Sequence, residues 1–454
     1  MPALTGRKPR ILVIGGGHLG LYAAKRLQDR LLPKEADLTL IDSRSYMTYV
    51  PLLPEVAAAT VEPRHVTVPL HRLLPRFHIC SGDVMTLRHA DRTAEVQLVD
   101  GQHRRIEYDH LVMAPGSVSQ TTPIPGLAEL AVGFKTLGEA VFLRNRVITQ
   151  LSLADSTTDP HMRRRALTFV VVGGWYAGVE ALGELSDLSQ TAIQAFPELD
   201  AAELRWILVT AGDRILPEVS PDLSAYTTRL LRSQGIEIRL GTTIASCVAG
   251  RIRFGPGRYA DDLVEANTLV WTIGLRPHPI LEHTDLPRDD RGQLPADAYL
   301  RVRGVPGAWT GGDCAAVPDL TSDNPNALCP RTADHAERQA RRLADNLVAE
   351  IRGRRHSGPP KPYAHRLPIT VVGLGRLTGV AQVYDVRLRG RPAWTLHRLY
   401  HWLRLPSRPR KLRVLVDWAV DSLVPRDISA LAELEEPRRP LQEAVRAPSL
   451  VTEP

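Results

Sequence analysis

Three glycines near the beginning of the chain have a spacing that suits dinucleotide binding. Gly15, Gly17 and Gly20 form a G-x-G-x-x-G motif after an apolar run at Ile11–Ile14 and before a predicted helix at Leu21–Leu31. In such a motif the first glycine permits a tight turn, the second lets a pyrophosphate approach the backbone, and the third lets the helix pack against the strand. The helix N-terminus then faces the phosphates. We therefore predict a dinucleotide site at this turn.

An acidic residue strengthens that prediction. The next apolar strand, Leu38–Ile41, is followed by Asp42, which lies 22 residues after Gly20. A carboxylate in this position can accept hydrogen bonds from both hydroxyls of an adenosine ribose. The alternative is a glycine turn in some other α/β unit, but that alternative does not require the strand, the helix and the acid in this order.

The same pattern occurs a second time in the middle of the chain. Its strand, glycine turn, helix and next strand lie at Leu167–Val172, Gly173–Gly178, Val179–Leu188 and Leu204–Val209. The later segment Trp271–Pro277 leads back toward the first unit. The pattern predicts a second nucleotide-type βαβ unit that is inserted into the first.

These patterns predict the α/β fold class, with two Rossmann-like dinucleotide-binding domains, the second inserted in the first, followed by a C-terminal amphipathic helical region. The predicted ranges are 1–135 with 276–352 for the first, discontinuous dinucleotide-binding domain, 136–275 for the inserted domain, and 353–454 for the C-terminal region. Other expected features are helices at Thr136–Ser152 and Thr332–Ile351, and linkers at Ser156–Arg165 and Gly353–Pro362.

The composition narrows the class of protein. The 454 residues carry a net charge of +7 and four cysteines, none of which stands in C-x-x-C or C-x4-C spacing. This argues against a disulfide framework, a zinc ribbon and a redox-active dithiol. No histidines show metal-ligand spacing, so we predict no metal site. The segment before Arg10 lacks the apolar core of a signal peptide, and no run of about 18 apolar residues predicts a spanning helix.

A stretch near the C-terminus is amphipathic at helical spacing. Ala393–Leu405 carries leucines and aromatic residues on one broad face, and Leu412–Val424 has a weaker apolar stripe. Aromatic residues beside arginines suit the interface of a bilayer with anionic lipid. The residues expected at that interface are Trp394, Leu399, Trp402, Leu403 and Arg404. Two helices packed on the core, or a homodimer formed through these faces, are the alternatives. We find no nucleic-acid-binding module, so nucleic acid is not an expected partner.

The order of the motifs resembles that of a known superfamily. The first glycine motif is followed by an A-P-G turn at Ala114–Gly116, by the second glycine motif, and by T-G-G-D-C-A at Thr310–Ala315. This order is similar to that of the two-dinucleotide flavoprotein disulfide reductases. Within them the chain most resembles the type II NADH dehydrogenases, the single-subunit NADH:quinone oxidoreductases, over about residues 10–430. Its more specific pieces are Y-V-P-L-L-P-E-V-A, P-R-T-A-D-H-A-E-R-Q-A and a C-terminal stretch that ends in P-R-D-I.

The resemblance implies a function. Hydride would pass from NADH or NADPH to FAD, and two electrons would pass on to a membrane quinone without proton pumping. The family places its membrane anchor in the C-terminal region, so we expect a peripheral enzyme on the cytoplasmic face of the cell membrane. Glu180 would be the catalytic residue, near the meeting point of nicotinamide and flavin.

The resemblance also implies binding residues. FAD would contact Gly15, Gly17, Gly20, Asp42, Pro51, Leu52, Ala114, Gly116 and Asp313. NAD(P)H would contact Gly173, Gly174, Trp175, Gly178, Thr210 and Gly274. Quinone would contact Thr332, Ala333, Asp334 and Gln339.

Three positions depart from the family pattern, and all of them lie among the residues expected to contact NAD(P)H or quinone rather than FAD. Trp175 replaces the middle glycine of the second motif, Thr210 stands where the family usually has a glutamate, and Asp334 replaces a glutamine. The indole of Trp175 either blocks the cofactor, turns outward, or packs in the core. A carboxylate at position 210 would favour NADH, so without it, and with Arg214 nearby, NADPH becomes possible.

These departures leave several functions open. Besides an NAD(P)H:quinone oxidoreductase, the chain fits a flavoprotein partner subunit without nicotinamide binding, or a reductase with another electron acceptor. Sulfide:quinone oxidoreductase would need paired redox cysteines, and the spacing of Cys314 and Cys329 does not match. Glu180 also has a purely structural alternative, as a solvated residue or as a partner of Glu184 on its own helix.

Overall fold

The computed structural model describes residues 7–353, 358–366, 368–431, 433 and 436–446 of the chain. The predictions for the segment before residue 7, for part of the linker at 353–362 and for part of the C-terminal tail lie outside the described residues. The helices, in chain order, are α1 (His18–Arg30), α2 (Leu53–Ala57), α3 (Leu70–Leu73), α4 (Leu127–Leu130), α5 (Leu137–Ser156), α6 (Pro160–Ala166), α7 (Tyr176–Ala192), α8 (Pro221–Ser233), α9 (Ala333–Arg352), α10 (Arg391–Arg404), α11 (Arg408–Leu423) and α12 (Arg439–Arg446).

The first unit is built on a seven-stranded sheet. Its strand Arg10–Ile14, which leads into the first glycine turn, lies between Asp37–Asp42 and His110–Met113 and pairs with both in parallel. In spatial order the strands are Ala308–Thr310, His110–Met113, Arg10–Ile14, Asp37–Asp42, His78–Arg88, Thr93–Leu98 and His103–Glu107. Because both faces of a parallel sheet are covered, its strands are continuous apolar runs, as Ile11–Ile14 is here.

Helices α1 and α9 pack against each other on this sheet. They are about 300 residues apart in sequence, and an ion pair joins them, because Arg26 Nε lies 2.9 Å from Asp345 Oδ1. The first unit is therefore discontinuous along the chain, as the fold class predicts. Its strand Ala308–Thr310 also comes from the segment that follows the inserted unit.

The second unit has a five-stranded parallel sheet. In spatial order its strands are Ala131–Gly133, Thr268–Trp271, Thr168–Val172, Arg205–Val209 and Glu237–Arg239. The strand Thr168–Val172 is buried along its whole length. The edge strand Ala131–Gly133 comes before residue 136, where the sequence predicts that the inserted domain begins.

Smaller sheets join and flank these units. They are Ile244–Ser246 with Arg251–Phe254 and Leu263–Glu265, Ser117–Ser119 with Leu275–Pro277, Leu294–Pro295 with Ala315–Ala316, and Tyr46–Thr48 with Thr67–Pro69. The C-terminal region contains an antiparallel sheet of Ile369–Gly373, Gly379–Val383 and Val386–Arg389. Helix α10 packs on that sheet, and α11 follows it. Among the described residues, no helix is long and apolar enough to cross a bilayer.

Two local predictions need correction. The helix predicted at Thr136–Ser152 continues to Ser156, and Thr136 forms a capping box with Glu139 at its start. The predicted linker at Ser156–Arg165 contains helix α6, since Asp159 accepts a hydrogen bond from the His161 N–H at 2.8 Å and Pro160 occupies the first turn. Proline is favoured at this position because its missing N–H would have no helical partner.

Candidate active site

The first glycine turn is closely packed on one side and open on the other. Gly15 has a φ of +94°, and a Cβ on Gly20 would lie 1.7 Å from the Gly15 carbonyl oxygen. A Cβ on Gly17 would meet no atom within 4 Å. Helix α1 begins directly afterwards, so its N-terminus faces this open space. The turn thus has room for a phosphate group beside free backbone N–H groups.

Asp42 lies beside that turn. Its Oδ2 accepts a hydrogen bond from the Gly16 N–H at 2.6 Å, and its Oδ1 accepts one from the Arg44 N–H at 2.8 Å. These two bonds hold the carboxylate at the end of its strand, next to the space that Gly17 leaves open. This is the arrangement that the sequence predicts for ribose binding.

A second carboxylate, Asp313, closes the same region. The Ser117 hydroxyl donates to Asp313 Oδ2 at 2.6 Å, and Lys135 Nζ lies 3.5 Å from that oxygen. The Gly312 N–H donates to Gln339 Oε1 at 2.7 Å. Gln339, predicted to contact quinone, is thus buried and holds the turn that positions Asp313.

Other predicted flavin contacts lie around this turn. The Ala114 carbonyl oxygen would be 2.3 Å from a Cβ on Gly15, so the A-P-G turn lies against the first glycine, and Gly116 has a φ of +77°. Pro51 and Leu52 belong to a short 3-10 helix that leads into α2, where Leu52 is fully buried.

The second glycine turn repeats the backbone of the first. Gly173 has a φ of +127°, and a Cβ on Gly178 would lie 2.0 Å from the Gly173 carbonyl oxygen. Trp175 precedes α7 with φ −91° and ψ 177°, close to the extended backbone of Gly17 before α1 (φ −73°, ψ −161°). Its side chain therefore projects where the first turn leaves open space. The indole is 59% exposed, so it is not packed in the core.

Neither Thr210 nor Arg214, the residues considered for contact with a dinucleotide ribose or 2′-phosphate, presents a free charged group beside the second glycine turn. Thr210 is buried, and its Oγ1 would lie 2.8 Å from a Cβ on Gly174. Arg214 donates to the carbonyls of Val219 at 3.3 Å and Pro217 at 2.7 Å. The guanidinium that the sequence suggests for a 2′-phosphate is thus engaged by its own loop. Gly274 has a φ of +64° and lies close to the Gln120 side chain.

Glu180 is not a solvated helix residue. Its Oε1 accepts a hydrogen bond from the Gly373 N–H at 3.0 Å and lies 3.2 Å from His397 Nε2. Burial lowers the pKa of His397, but the hydrogen bond and the charge of Glu180 outweigh burial and raise it. Glu180 therefore joins the second unit to helix α10 through a buried acid–base pair.

Aromatic rings continue from this pair toward the first glycine turn. The His397 ring lies 4.6 Å from that of His401, and Tyr49 lies between His401 and His18, at 6.2 and 5.7 Å. Burial lowers the pKa of His18 to about 4 and that of His401 well below its ordinary value. Sequence reasoning missed this row of rings. The sequence does contain one signal for this row, because His397 and His401 are four residues apart and therefore lie on the same face of one helix.

Charged residues are buried between α2, α7, α10 and α11. Arg398 Nε lies 3.6 Å from Glu55 Oε1, and the Trp418 indole N–H donates to the other oxygen of Glu55. Arg426 Nη2 lies 2.7 Å from Asp187 Oδ2. Glu184 is buried next to these groups, and burial together with the charge of Glu55 raises its pKa to about 8.

The predicted quinone motif is charged in this chain. Asp334 is buried at the start of α9 and pairs with Arg404, with Arg338 at 3.1 Å and with His365 at 3.3 Å. Thr332 accepts a hydrogen bond from the His335 N–H and begins the helix, so Ala333 is its first residue. The carboxylate that replaces the amide thus has three cationic or basic neighbours.

Arg404 does not face outward as predicted for a membrane contact. It points inward, because Asp334 and Glu337 both attract its guanidinium. Trp394 stacks on Arg398, and the Trp402 indole N–H donates to the Lys411 carbonyl at 2.9 Å. Of the five predicted membrane residues, Leu399 and Leu403 are the exposed ones.

The cysteines do not suit thiol chemistry. All four are free. Burial raises the pKa of Cys314 to about 11 and that of Cys329 to about 12, so neither thiol readily forms the reactive thiolate. In the described part of the chain, no group of three or more His, Cys, Asp or Glu side chains is arranged to hold a metal ion.

The fold defines a protein with two Rossmann-like α/β units, each with a glycine turn between a buried parallel strand and the helix that follows it. The chain belongs to the pyridine nucleotide-disulphide oxidoreductase family, whose model matches residues 9–340. It is 26% identical to the type II NADH:quinone oxidoreductase Ndh of Mycobacterium tuberculosis, over 92% of this chain and 89% of that protein. It is also 26% identical to the demethylphylloquinone reductase NdbB of Synechocystis, over 91% and 96%.

The fold has a close structural counterpart. The structure of NDH2 from Plasmodium falciparum in complex with NADH superposes with a TM-score of 0.84 at 17% identity, over 93% of this chain and all of that chain. The resemblance to type II NADH:quinone oxidoreductases, predicted from the order of the motifs, is thus confirmed.

Substitutions of Gly17 and Gly20 should have different effects, which makes them a matched pair of variants. Gly20→Ala places a methyl group against the Gly15 carbonyl, so we expect the free energy of unfolding of the flavin-free protein to fall by about 1–3 kcal/mol. Gly17→Ala meets no atom of the chain, so it should leave that free energy within about 0.5 kcal/mol while weakening FAD retention. Urea unfolding and flavin release measure both effects. Equal destabilisation by the two variants would contradict this account.

Glu184 predicts a pH-dependent stability. Its pKa is about 8 in the folded protein and about 4.5 in the unfolded chain, so its contribution is complete below pH 4.5 and is lost as the pH rises through 8. Glu184→Gln should therefore gain thermal stability relative to the wild type between pH 5 and 9. The exposed Glu129→Gln is the control. A stability difference for Glu184→Gln that does not change with pH would refute the assignment.

Proposed function

We propose that the protein is an FAD-dependent oxidoreductase that passes hydride from NAD(P)H to FAD and two electrons on to a quinone, without proton pumping. One observation carries the flavin half of this proposal. The open side of the Gly17 turn lies between two fixed carboxylates, Asp42 and Asp313. The names of its relatives, NADH:quinone and demethylphylloquinone reductases, support the donor and the acceptor.

The residues around the first turn fit FAD. The space beside Gly17 would hold the diphosphate, Asp42 would accept hydrogen bonds from the ribose hydroxyls, and Asp313 with Lys135 would contact the ribityl or phosphate region. FAD supplies the chemistry here, since it accepts a hydride and releases two electrons. The chain supplies position, and its row of rings, His397, His401, Tyr49 and His18, leads from Glu180 to the first glycine turn.

Glu180 and His397 would act where the donor and the flavin meet. Their Oε1 and Nε2 atoms are 3.2 Å apart in a largely buried setting, so the carboxylate lies within ion-pair distance of the imidazole. On the acceptor side, Thr332, Ala333 and Asp334 at the start of α9 would border the quinone, with Arg404 and His365 as its polar neighbours.

The surface of α11 supports binding to a membrane. Leu412, Leu415, Val416, Val420 and Leu423 are 49–85% exposed, and Leu399 and Leu403 of α10 are exposed as well. Burial lowers the pKa of Arg410, and the positive charges of Arg413 and Arg72 lower it further, which marks a concentration of positive charge. An apolar face with a basic rim fits an anionic bilayer surface. We propose that this surface binds the cytoplasmic side of the membrane. The alternative is that two copies of the chain form a homodimer through the same surface.

Trp175 favours a second candidate. An indole in the pyrophosphate position, without an acid at Thr210, would suit a flavoprotein that no longer oxidises nicotinamide and acts as a partner subunit, or one that uses another donor. The two candidates make opposite predictions for the donor reaction.

Anaerobic flavin reduction separates these candidates. Rapid bleaching of the FAD-loaded protein by NADH or NADPH supports the oxidoreductase. If only dithionite bleaches the flavin, the first candidate fails. We expect Trp175→Gly to lower the KM for the donor about tenfold or more, because it reopens the phosphate position. Tyr384→Gly, which removes a remote exposed aromatic ring, should change nothing. A Trp175→Gly protein that keeps FAD but gains no reactivity would show that the indole is not the obstacle.

Membrane binding can be tested on the exposed face of α11. The double variant Leu412→Glu/Val416→Glu should lose co-flotation with phosphatidylglycerol vesicles, because it places two charges in the apolar face. Val99→Glu, on an exposed apolar residue of the first unit, is the control. Unchanged flotation of the α11 variant would exclude this face. Loss of a dimer in solution would assign it to self-association.

A further inference from the structure

A cavity of about 470 Å³ lies where the returning chain meets the first unit. One side is the ribbon formed by Ser117–Ser119 and Leu275–Pro277, and the other side is the segment from Leu328 to Arg331. Gln293 and Ala315 form the floor, where the Gln293 amide donates to the Ala315 carbonyl at 3.0 Å. None of the flavin, nicotinamide or quinone contacts predicted from the sequence lines this cavity.

Three arginines line the cavity, and no acidic residue does so. They are Arg276, Arg291 and Arg331. Arg331 Nη1 donates to the Leu275 carbonyl at 2.8 Å, which holds its guanidinium at the rim. Within the described residues, the side chains of Arg276 and Arg291 form neither an ion pair nor a hydrogen bond.

Two carboxylates near the cavity, Asp289 and Asp313, are engaged elsewhere. Asp289 accepts hydrogen bonds from the N–H groups of Arg291 and Gln293, at 3.0 and 2.8 Å, within its own loop. Asp313 is held by Ser117 and Lys135. Among the residues that the structure describes, the guanidinium groups of Arg276 and Arg291 are therefore not paired with a carboxylate.

The remaining wall is apolar. Leu275, Pro277, Leu328 and Pro330 stand between the arginines. A cavity of this volume is in the size range of sites for small organic ligands. Guanidinium groups bind phosphate oxygens through two parallel hydrogen bonds, and lysine has no comparable geometry. Basic groups beside an apolar wall thus suit a ligand that carries a phosphate on an organic body.

We propose that this cavity binds an organic phosphate through Arg276, Arg291 and Arg331. Its position suggests one source. Thr272 lies against Gly173 of the second glycine turn, and Leu275 of the cavity follows three residues later. The donor dinucleotide, kept from the usual position by Trp175, could place its phosphates here, and this source rests on the proposed function. The other source is a separate phosphorylated molecule.

Calorimetry with inorganic pyrophosphate tests the site on the FAD-loaded, full-length protein. The wild type should bind pyrophosphate, and Arg276→Gln/Arg291→Gln should weaken the binding about tenfold or more, because charge-assisted hydrogen bonds are lost. Arg229→Gln/Arg232→Gln, which removes two arginines from α8, is the matched control. Arg331 is left unchanged because it also bonds to the backbone. Equal pyrophosphate binding by the wild type and the Arg276/Arg291 variant, or none by the wild type, would overturn the proposal.

Competition with NAD⁺ distinguishes the two sources. If NAD⁺ displaces pyrophosphate, and the variant raises the KM for NADH without changing kcat, the site holds the phosphates of the donor. If NAD⁺ does not displace pyrophosphate, the site serves a separate organic phosphate. The displacement of pyrophosphate by NAD⁺ is a binding measurement that does not depend on flavin bleaching by NADH, so a failure of the proposed function would be recognised independently.

Discussion

The close approach of helix to strand at the two glycine turns is the constraint on which this structure depends. A Cβ on Gly20 or on Gly178 would lie within 2.0 Å of the carbonyl oxygen of the first glycine in its own motif. Only glycine permits this approach, and it brings each helix N-terminus to the carboxyl edge of a parallel sheet. Because ligands of such sheets bind at that edge, the two contacts determine where chemistry can occur in both units.

The sequence predicts the parts that follow from local patterns. Apolar runs before glycines predict the strands Arg10–Ile14 and Thr168–Val172, and the acid after a strand predicts Asp42. The pairing of Glu180 with His397 joins residues more than 200 positions apart, and no local pattern specifies that partner. Arg404 illustrates the same limit. Helical periodicity places it beside an interface, whereas the charge of Asp334 turns it inward.

Buried charges hold the C-terminal region to both dinucleotide units. Glu55 of the first unit, Glu184 of the second, and Arg398 and Arg426 of the C-terminal region are buried close together, and the partly exposed Asp187 pairs with Arg426 at their edge. Burial of ions costs desolvation energy, and removal of one partner leaves the other uncompensated. The arrangement therefore favours one relative placement of three parts of the chain more than it adds net stability.

The discontinuous first unit has a consequence for synthesis on the ribosome. The inserted unit has all five of its strands by Trp271, whereas the first sheet lacks its strand Ala308–Thr310 and its helix α9 until much later. Domains generally fold as units while the chain emerges, so the inserted unit can fold before the unit that surrounds it in sequence. The exposed apolar residues of α11 are translated after both. This exposed apolar surface thus emerges after the segments that form both sheets and α9 have been synthesised.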